Sequence, residues 1–156
     1  MPTTTITPFL WFDTQAEEAM NFYCSLFKDS KKLGVHRAGD RVLTTTFELQ
    51  GQKFIALNGG PQFPFTEAVS FQIIVETQQE VDDLWTKLIA GGGQESRCGW
   101  LKDKYGLSWQ VVPAALPRLL SDPDPARAGA AMQAMMKMNK ITIADMEQAA
   151  AGVGSR

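Results

Sequence analysis

Metal-binding and redox side chains are scarce in this chain, which has one histidine, His36, and two cysteines, Cys24 and Cys98, in 156 residues. So few ligands exclude a multi-histidine zinc site, a four-thiolate zinc site and a disulfide framework. Charge is balanced as well, with 15 Lys and Arg against 17 Asp and Glu and a net charge of -2. No run of one sign builds the basic footprint that nucleic-acid binding requires. Long apolar runs are missing too. The longest stretches without charge, Phe54 to Thr66 and Tyr105 to Pro117, are 13 residues each and contain Pro and Gly, short of the ~18 a membrane span needs. The opening MPTTTITPFLWF has no basic segment and no small-residue cleavage site, so no signal peptide and a cytoplasmic location are expected. What is present is a globular composition, 44% hydrophobic and 10% aromatic. One domain of this size, residues 1–156, buries roughly 70% of its unfolded surface and needs no cofactor to fold.

The order within that domain is a duplication. In residues 16–28, Ala19, Phe22, Tyr23, Leu26 and Phe27 lie on one helical stripe. In residues 78–90, Val81, Leu84, Trp85, Leu88 and Ile89 repeat it at a constant offset of 62 residues. An apolar run precedes each helix, Phe9 to Phe12 and Phe71 to Ile74, at the same offset. Three β-rich segments follow each helix: Lys32–Arg37, Val42–Leu49 and Lys53–Asn58 in the first copy, Gln94–Arg97, Gly99–Lys102 and Leu107–Val112 in the second. Gly-containing turns separate them. The predicted fold class is therefore α+β, with two βαβββ modules over about 6–58 and 69–112 and a helical tail over 113–156. In the tail, Leu116–Leu120 reads as a short helix. The acceptor and Pro residues of Ser121-Asp122-Pro123-Asp124-Pro125 read as the start of a second, running to about Asn139. That helix would align Ala128, Met132, Met135 and Met136 on one side, and a shorter helix would follow Thr142.

The segments PFLWFD, AEEAMNFY, ALNGGP, AVSFQIIVETQQEVD, CGWLKDKYGLSWQVVP and LLSDPDP together resemble the vicinal-oxygen-chelate superfamily. That superfamily includes glyoxalase I, extradiol dioxygenases and bleomycin-binding proteins. The closer likeness is to its PhnB-like branch, often labelled demethylubiquinone methyltransferases, over residues 7 to about 147. The resemblance implies paired βαβββ modules whose curved sheets enclose a cavity, usually in a homodimer.

It also implies where a metal would sit, on His and Glu side chains of the cavity strands, because imidazole and carboxylate suit first-row divalent ions. The residue types are wrong for it here. The first strand of each copy has no His, Glu or Asp, and the position four residues after the turn Gly, a ligand Glu in that superfamily, is Ile55 in one copy and Gln110 in the other. Glu48, Glu67 and Glu76 fall at strand ends or in loops. No metal and no cofactor are expected. Cys98 and His36 are the candidates for a catalytic group, although neither has an adjacent base and each also reads as structural. Adenosylmethionine chemistry is not expected, because Gly59-Gly60-Pro61 is followed by no helix and Gly91-Gly92-Gly93 follows one.

What remains is an apolar cavity with a few polar points, for which Trp11, Phe54, Asn58, Gln72, Trp100, Trp109 and Gln110 are the candidate lining residues. The expected function is binding of a small, partly aromatic molecule. The alternative is a glyoxalase- or dioxygenase-type enzyme, a lyase or oxidoreductase, with non-standard metal ligands. A homodimer is expected as well, with the Met-rich tail helix at or across its interface.

Overall fold

Strand alternation and helix periodicity meet in the same βαβββ order twice, and the computed structural model, which describes residues 3–153, shows both copies as four-stranded sheets. The chain divides into two units after Phe65.

In the first unit, β1 (Phe9–Phe12) leads to α1 (Ala16–Leu26), followed by β2 (Ser30–Ala38), β3 (Arg41–Leu49) and β4 (Gln52–Asn58). The sheet order is β1-β4-β3-β2, with β1 parallel to β4 and the other pairs antiparallel. Leu49 pairs with Gln52, so the loop between β3 and β4 is Gln50-Gly51 alone, both at positive φ (51° and 83°). That is the backbone a two-residue hairpin of the strands' own twist demands. Thr45, Phe47 and Leu49 alternate inward on β3, and Tyr23 of α1 packs against Phe47. The buried stripe of α1 is Ala16, Ala19, Met20 and Tyr23. Met20 therefore joins the expected residues, while Phe22, Leu26 and Phe27 are only half-buried.

In the second unit the elements are β5 (Ser70–Val75), α2 (Gln78–Ile89), β6 (Gln94–Glu95), β7 (Trp100–Lys102) and β8 (Ser108–Pro113). The order β5-β8-β7-β6 repeats that of the first sheet. Val81, Leu84, Trp85 and Leu88 of α2 are buried, as the stripe predicts. Strands β6 and β7 are short stubs where β2 and β3 have nine residues each. The loop from β7 to β8 is organised by the buried Asp103, whose carboxylate accepts from the backbone N–H of Tyr105 and Leu107 and from Trp109 Nε1.

The tail forms α3 (Ala115–Leu120), α4 (Pro125–Met136) and α5 (Ile143–Gly152). Asp124 caps α4 by accepting from the N–H of Ala126, with Pro125 in the first turn. A buried cluster of Val112, Leu116, Ile141 and Met146 ties the tail to the end of β8, and Met135 and Met138 pack against it. The carbonyls of Met138 and Asn139 take the N–H groups of Cys98 and Gly99 ahead of β7. Gln78 of α2 donates to the Ile141 carbonyl and accepts from the Ile143 N–H. The expected single methionine stripe is thus divided: Ala131 is the residue α4 buries, Met135 is covered by the chain itself, and Met132 and Met136 are exposed. Among the described residues, no helix is long and apolar enough to cross a membrane.

Candidate functional site

One face of each sheet packs on its helix and the other is open. In the second sheet, register decides which residues share the open face. Gln72 pairs with Gln110 and Gln110 with Trp100, making one row across three strands. Ser70 pairs with Ser108, Ser108 with Lys102 and Lys102 with Gln94, making the next row. The intervening residues Trp109, Val111 and Leu101 are buried on the other side. The rows are joined by hydrogen bonds: Gln72 Nε2 donates to Gln110 Oε1 at 3.5 Å, and Gln110 Nε2 donates to Ser70 Oγ at 2.9 Å.

At the second row lies a cavity of about 160 Å³ whose walls include Glu67, Gln94, Ser96, Trp100, Lys102 and Ser108. Lys102 Nζ forms an ion pair with Glu67, and the hydrogen bond from Lys102 holds the Glu67 carboxyl below its usual range. Ser108 is 1% exposed and its Oγ has no hydrogen-bond partner among the described residues.

Four of the seven candidate lining residues lie on open faces. Gln72, Trp100 and Gln110 form the first row just described, and Trp11 belongs to the first unit. There Trp11 pairs with Leu57, Leu57 with Thr44 and Thr44 with His36; Phe9, Ile55 and Thr46 form the adjoining row. Trp11 Nε1 donates to the Gly60 carbonyl at 2.9 Å, and its ring meets Phe63 edge-on at 5.0 Å between centroids. The same ring lies over Gly59, where an added Cβ would stand 2.4 Å from it, so only glycine fits.

The other three point to the helix side, and their expected place in a cavity wall is corrected by the register. Phe54 is stacked on Phe47 at 5.6 Å in the core. Asn58 Oδ1 accepts from the N–H of Ala16 at 2.8 Å and its Nδ2 donates to the Val42 carbonyl, so it holds the first turn of α1. Trp109 is buried beside Phe71 and bonded to Asp103. The sequence pattern by itself does not single out Ser70 and Ser108, which share a row with Lys102. Their signal is the alternation of Ser108 with Gln110 and of Lys102 with Trp100, which marks one face once the strand phase is known.

Among the described residues, neither catalytic candidate has a chemical partner in place. Cys98 sits at φ 59° in the turn before β7, its N–H committed to the Met138 carbonyl. His36 lies on the exposed strand β2 opposite Thr44. Burial pushes the other thiol, Cys24, up from its ordinary pKa. A resident metal does not fit these residues: among the described ones no three His, Cys, Asp or Glu side chains gather to hold an ion. Glu48 stands opposite Lys31 and Lys53, Glu67 pairs with Lys102, and the equivalent ligand positions on the strands hold Ile55 and Gln110.

Paired sheets of this order define the glyoxalase/bleomycin resistance/dioxygenase fold. A protein of that description from Frankia sp. EAN1pec superposes with a TM-score of 0.50 at 14% identity, covering 72% of this chain and 93% of its own. The fosfomycin resistance protein FosX of Listeria monocytogenes gives 0.53 at 11% identity, over 72% and 92%. Within that class, the chain belongs to the PhnB-like family: the family model described as 3-demethylubiquinone-9 3-methyltransferase matches residues 4–112. A PhnB protein of Bacillus cereus named for that methyltransferase is 37% identical, covers 71% of this chain and 100% of its own, and superposes with a TM-score of 0.66. No curated protein matches the chain.

Proposed function

We propose that the open face of the second sheet binds a small, partly aromatic molecule without metal ligands. The observation that carries this reading is the pair of cross-strand rows, in which Trp100 offers a flat apolar surface among Gln72, Gln110, Ser108 and Lys102 beside a cavity of about 160 Å³. Apolar walls with a few directed polar groups are how small-molecule sites are built. The cavity wall itself is mostly polar, with Glu67, Gln94, Glu95, Ser96, Lys102 and Ser108 beside Trp100 and Leu101, so the ligand's ring belongs on Trp100 and its polar group in the cavity.

The reading includes a homodimer and excludes methyl transfer from adenosylmethionine. Support for the first is the apolar open face of the first sheet, where Phe9 is 60% exposed and Phe63, of the loop after β4 and edge-on to Trp11, is 64% exposed, a patch of the kind that associates. Support for the second is the position of the glycine clusters: Gly59-Gly60 leaves a strand for a loop and Gly91 to Gly93 link α2 to β6. Neither makes the strand-to-helix turn that cradles such a cofactor.

The test is amide and indole NMR on labelled protein with phenol, indole and benzamide as probes. Shifts concentrated on the Trp100 indole and on the Gln72 and Gln110 side-chain amides support the site. Shifts elsewhere only, or one divalent metal per chain by elemental analysis with metal-dependent turnover, overturn it in favour of an enzyme. Light scattering that shows a monomer overturns the dimer.

A further inference from the structure

Within the cavity of the second unit, among the described residues, one polar atom is left over and one ion pair is partly exposed. Ser108 Oγ is the left-over atom, buried at 1% exposure of its residue and without a partner among the described residues. A buried hydroxyl is ordinarily bonded to protein or to ordered water, so this one is free to bond a group that enters the cavity. Directly across the β7–β8 pair and on the same face stands Lys102, among the described residues the one cation in the cavity wall. Opposite side chains on neighbouring antiparallel strands lie roughly 5 Å apart at Cβ, so a single two-oxygen group reaches both.

Lys102 is occupied by Glu67, whose side chain is 59% exposed and which comes from the segment before β5 rather than from the sheet. An exposed pair of this kind contributes little to stability, and the released carboxylate returns to water. The second acid in the wall, Glu95, is already committed: it stands opposite Leu101, facing the helix side, and accepts from Trp85 Nε1 at 2.7 Å.

We propose that this cavity is a carboxylate subsite, in which the carboxylate of a small ring-bearing acid replaces that of Glu67 on Lys102 and accepts a hydrogen bond from Ser108, with its ring against Trp100. Glu67 is then an internal stand-in that keeps the ammonium neutralised while the site is empty. The inference rests on the binding reading above and adds the ligand's charge and the exchange with Glu67.

The test titrates the whole chain with benzoate and with its neutral analogue benzamide. Benzoate is expected to bind at least tenfold more tightly. Lys102→Met removes that preference, so that benzoate no longer binds more tightly than benzamide. Glu67→Gln, at an exposed position, strengthens benzoate several-fold by removing the competitor and so widens its preference over benzamide. Ser108→Ala weakens benzoate without lowering the thermal midpoint of the free protein. Equal binding of the two probes, unaltered by Glu67→Gln or Lys102→Met, overturns the carboxylate subsite while leaving a ring-binding site. Failure of both probes to bind at Trp100 overturns the subsite and the binding reading together.

Discussion

The two modules start their helices in different ways. Helix α2 is capped from within, by Thr77 and Glu80 bonding each other's backbone in a capping box. Helix α1 has no side-chain cap from its own N-terminal residue, Gln15. Its first turn is held instead from 42 residues away, by Asn58 at the end of β4. The modules differ outside the core as well. The open face of the first sheet is apolar and threonine-rich, with Phe9, Trp11, Ile55, Leu57, Thr44 and Thr46 in its rows. That of the second is built from amides, serines, Lys102 and Trp100. In the second the hairpin is cut to stubs and the tail takes over the missing contacts. Two copies of one plan can thus keep the same core and diverge on the face the core does not need.

If the second module depends on the tail, Ile141→Ala should show the largest effect. Ile141 is fully buried in the cluster with Val112 and Met146, and its truncation should cost about 4 kcal/mol, read as a lower denaturant midpoint. A loss under about 1 kcal/mol would break the claim that the tail closes this module.

The contrast in helix starts predicts the next two effects. Asn58→Ala removes a buried acceptor and donor at once and should cost about 2 kcal/mol. Thr77→Ala removes an exposed cap and should cost about 1 kcal/mol. Chemical denaturation of the two variants side by side checks the order, and the reverse order would show that α1 does not rely on β4.

The open face of the second sheet should tolerate change better than either cap. In Gln110→Glu a carboxylate accepts from both Gln72 Nε2 and the Ser70 hydroxyl, so the hydrogen bonds survive and the cost should stay below about 1 kcal/mol. A thermal midpoint unchanged within a few degrees is the expected result, whereas failure to fold would put Gln110 in the core.

The smallest effect concerns the tail's surface contact with α2. Hydrogen bonds from Gln78 and then Lys140 hold the Asp82 carboxyl below its ordinary value of 3.8. Because the folded-state value is the depressed one, this contact stabilises above the ordinary value and is lost as pH falls through the depressed one. Wild type and Asp82→Asn should therefore differ slightly in thermal midpoint at neutral pH and converge in acid below 3.8.

Local pattern carried much of this. The helix stripes with Ala19, Tyr23, Val81, Leu84, Trp85 and Leu88 depend only on 3.6-residue periodicity, and the hairpins depend on turn residues such as Gly39, Gly51 and Gly106, all at positive φ. The capping box is legible too, in Thr77 followed three residues later by Glu80. Segment CGWLKDKYGLSW is distinctive as a pattern because it closes on itself: Asp103 accepts the Nε1–H of Trp109 from within the same segment.

Strand phase is where local pattern failed. The constant offset of 62 residues aligns Phe9 with Phe71, yet in the sheets Phe9 pairs with Ile55 and it is Gln72 that pairs with the equivalent Gln110. The connection from β5 to α2 is one residue shorter than that from β1 to α1. Since side chains alternate with a period of two, that one residue turns every side chain of β5 to the other face.

By itself, the sequence determined a duplicated α+β chain with a helical tail, because helix stripes, β-branched runs and glycine turns are written within a dozen residues of one another. Only the tertiary structure decided that Asn58 caps a distant helix, that Trp109 and Phe54 belong to the core, and that Ser108 and Lys102 face a cavity together. Those outcomes depend on which strand lies beside which and in what register, and hydrogen bonds between segments tens of residues apart set both.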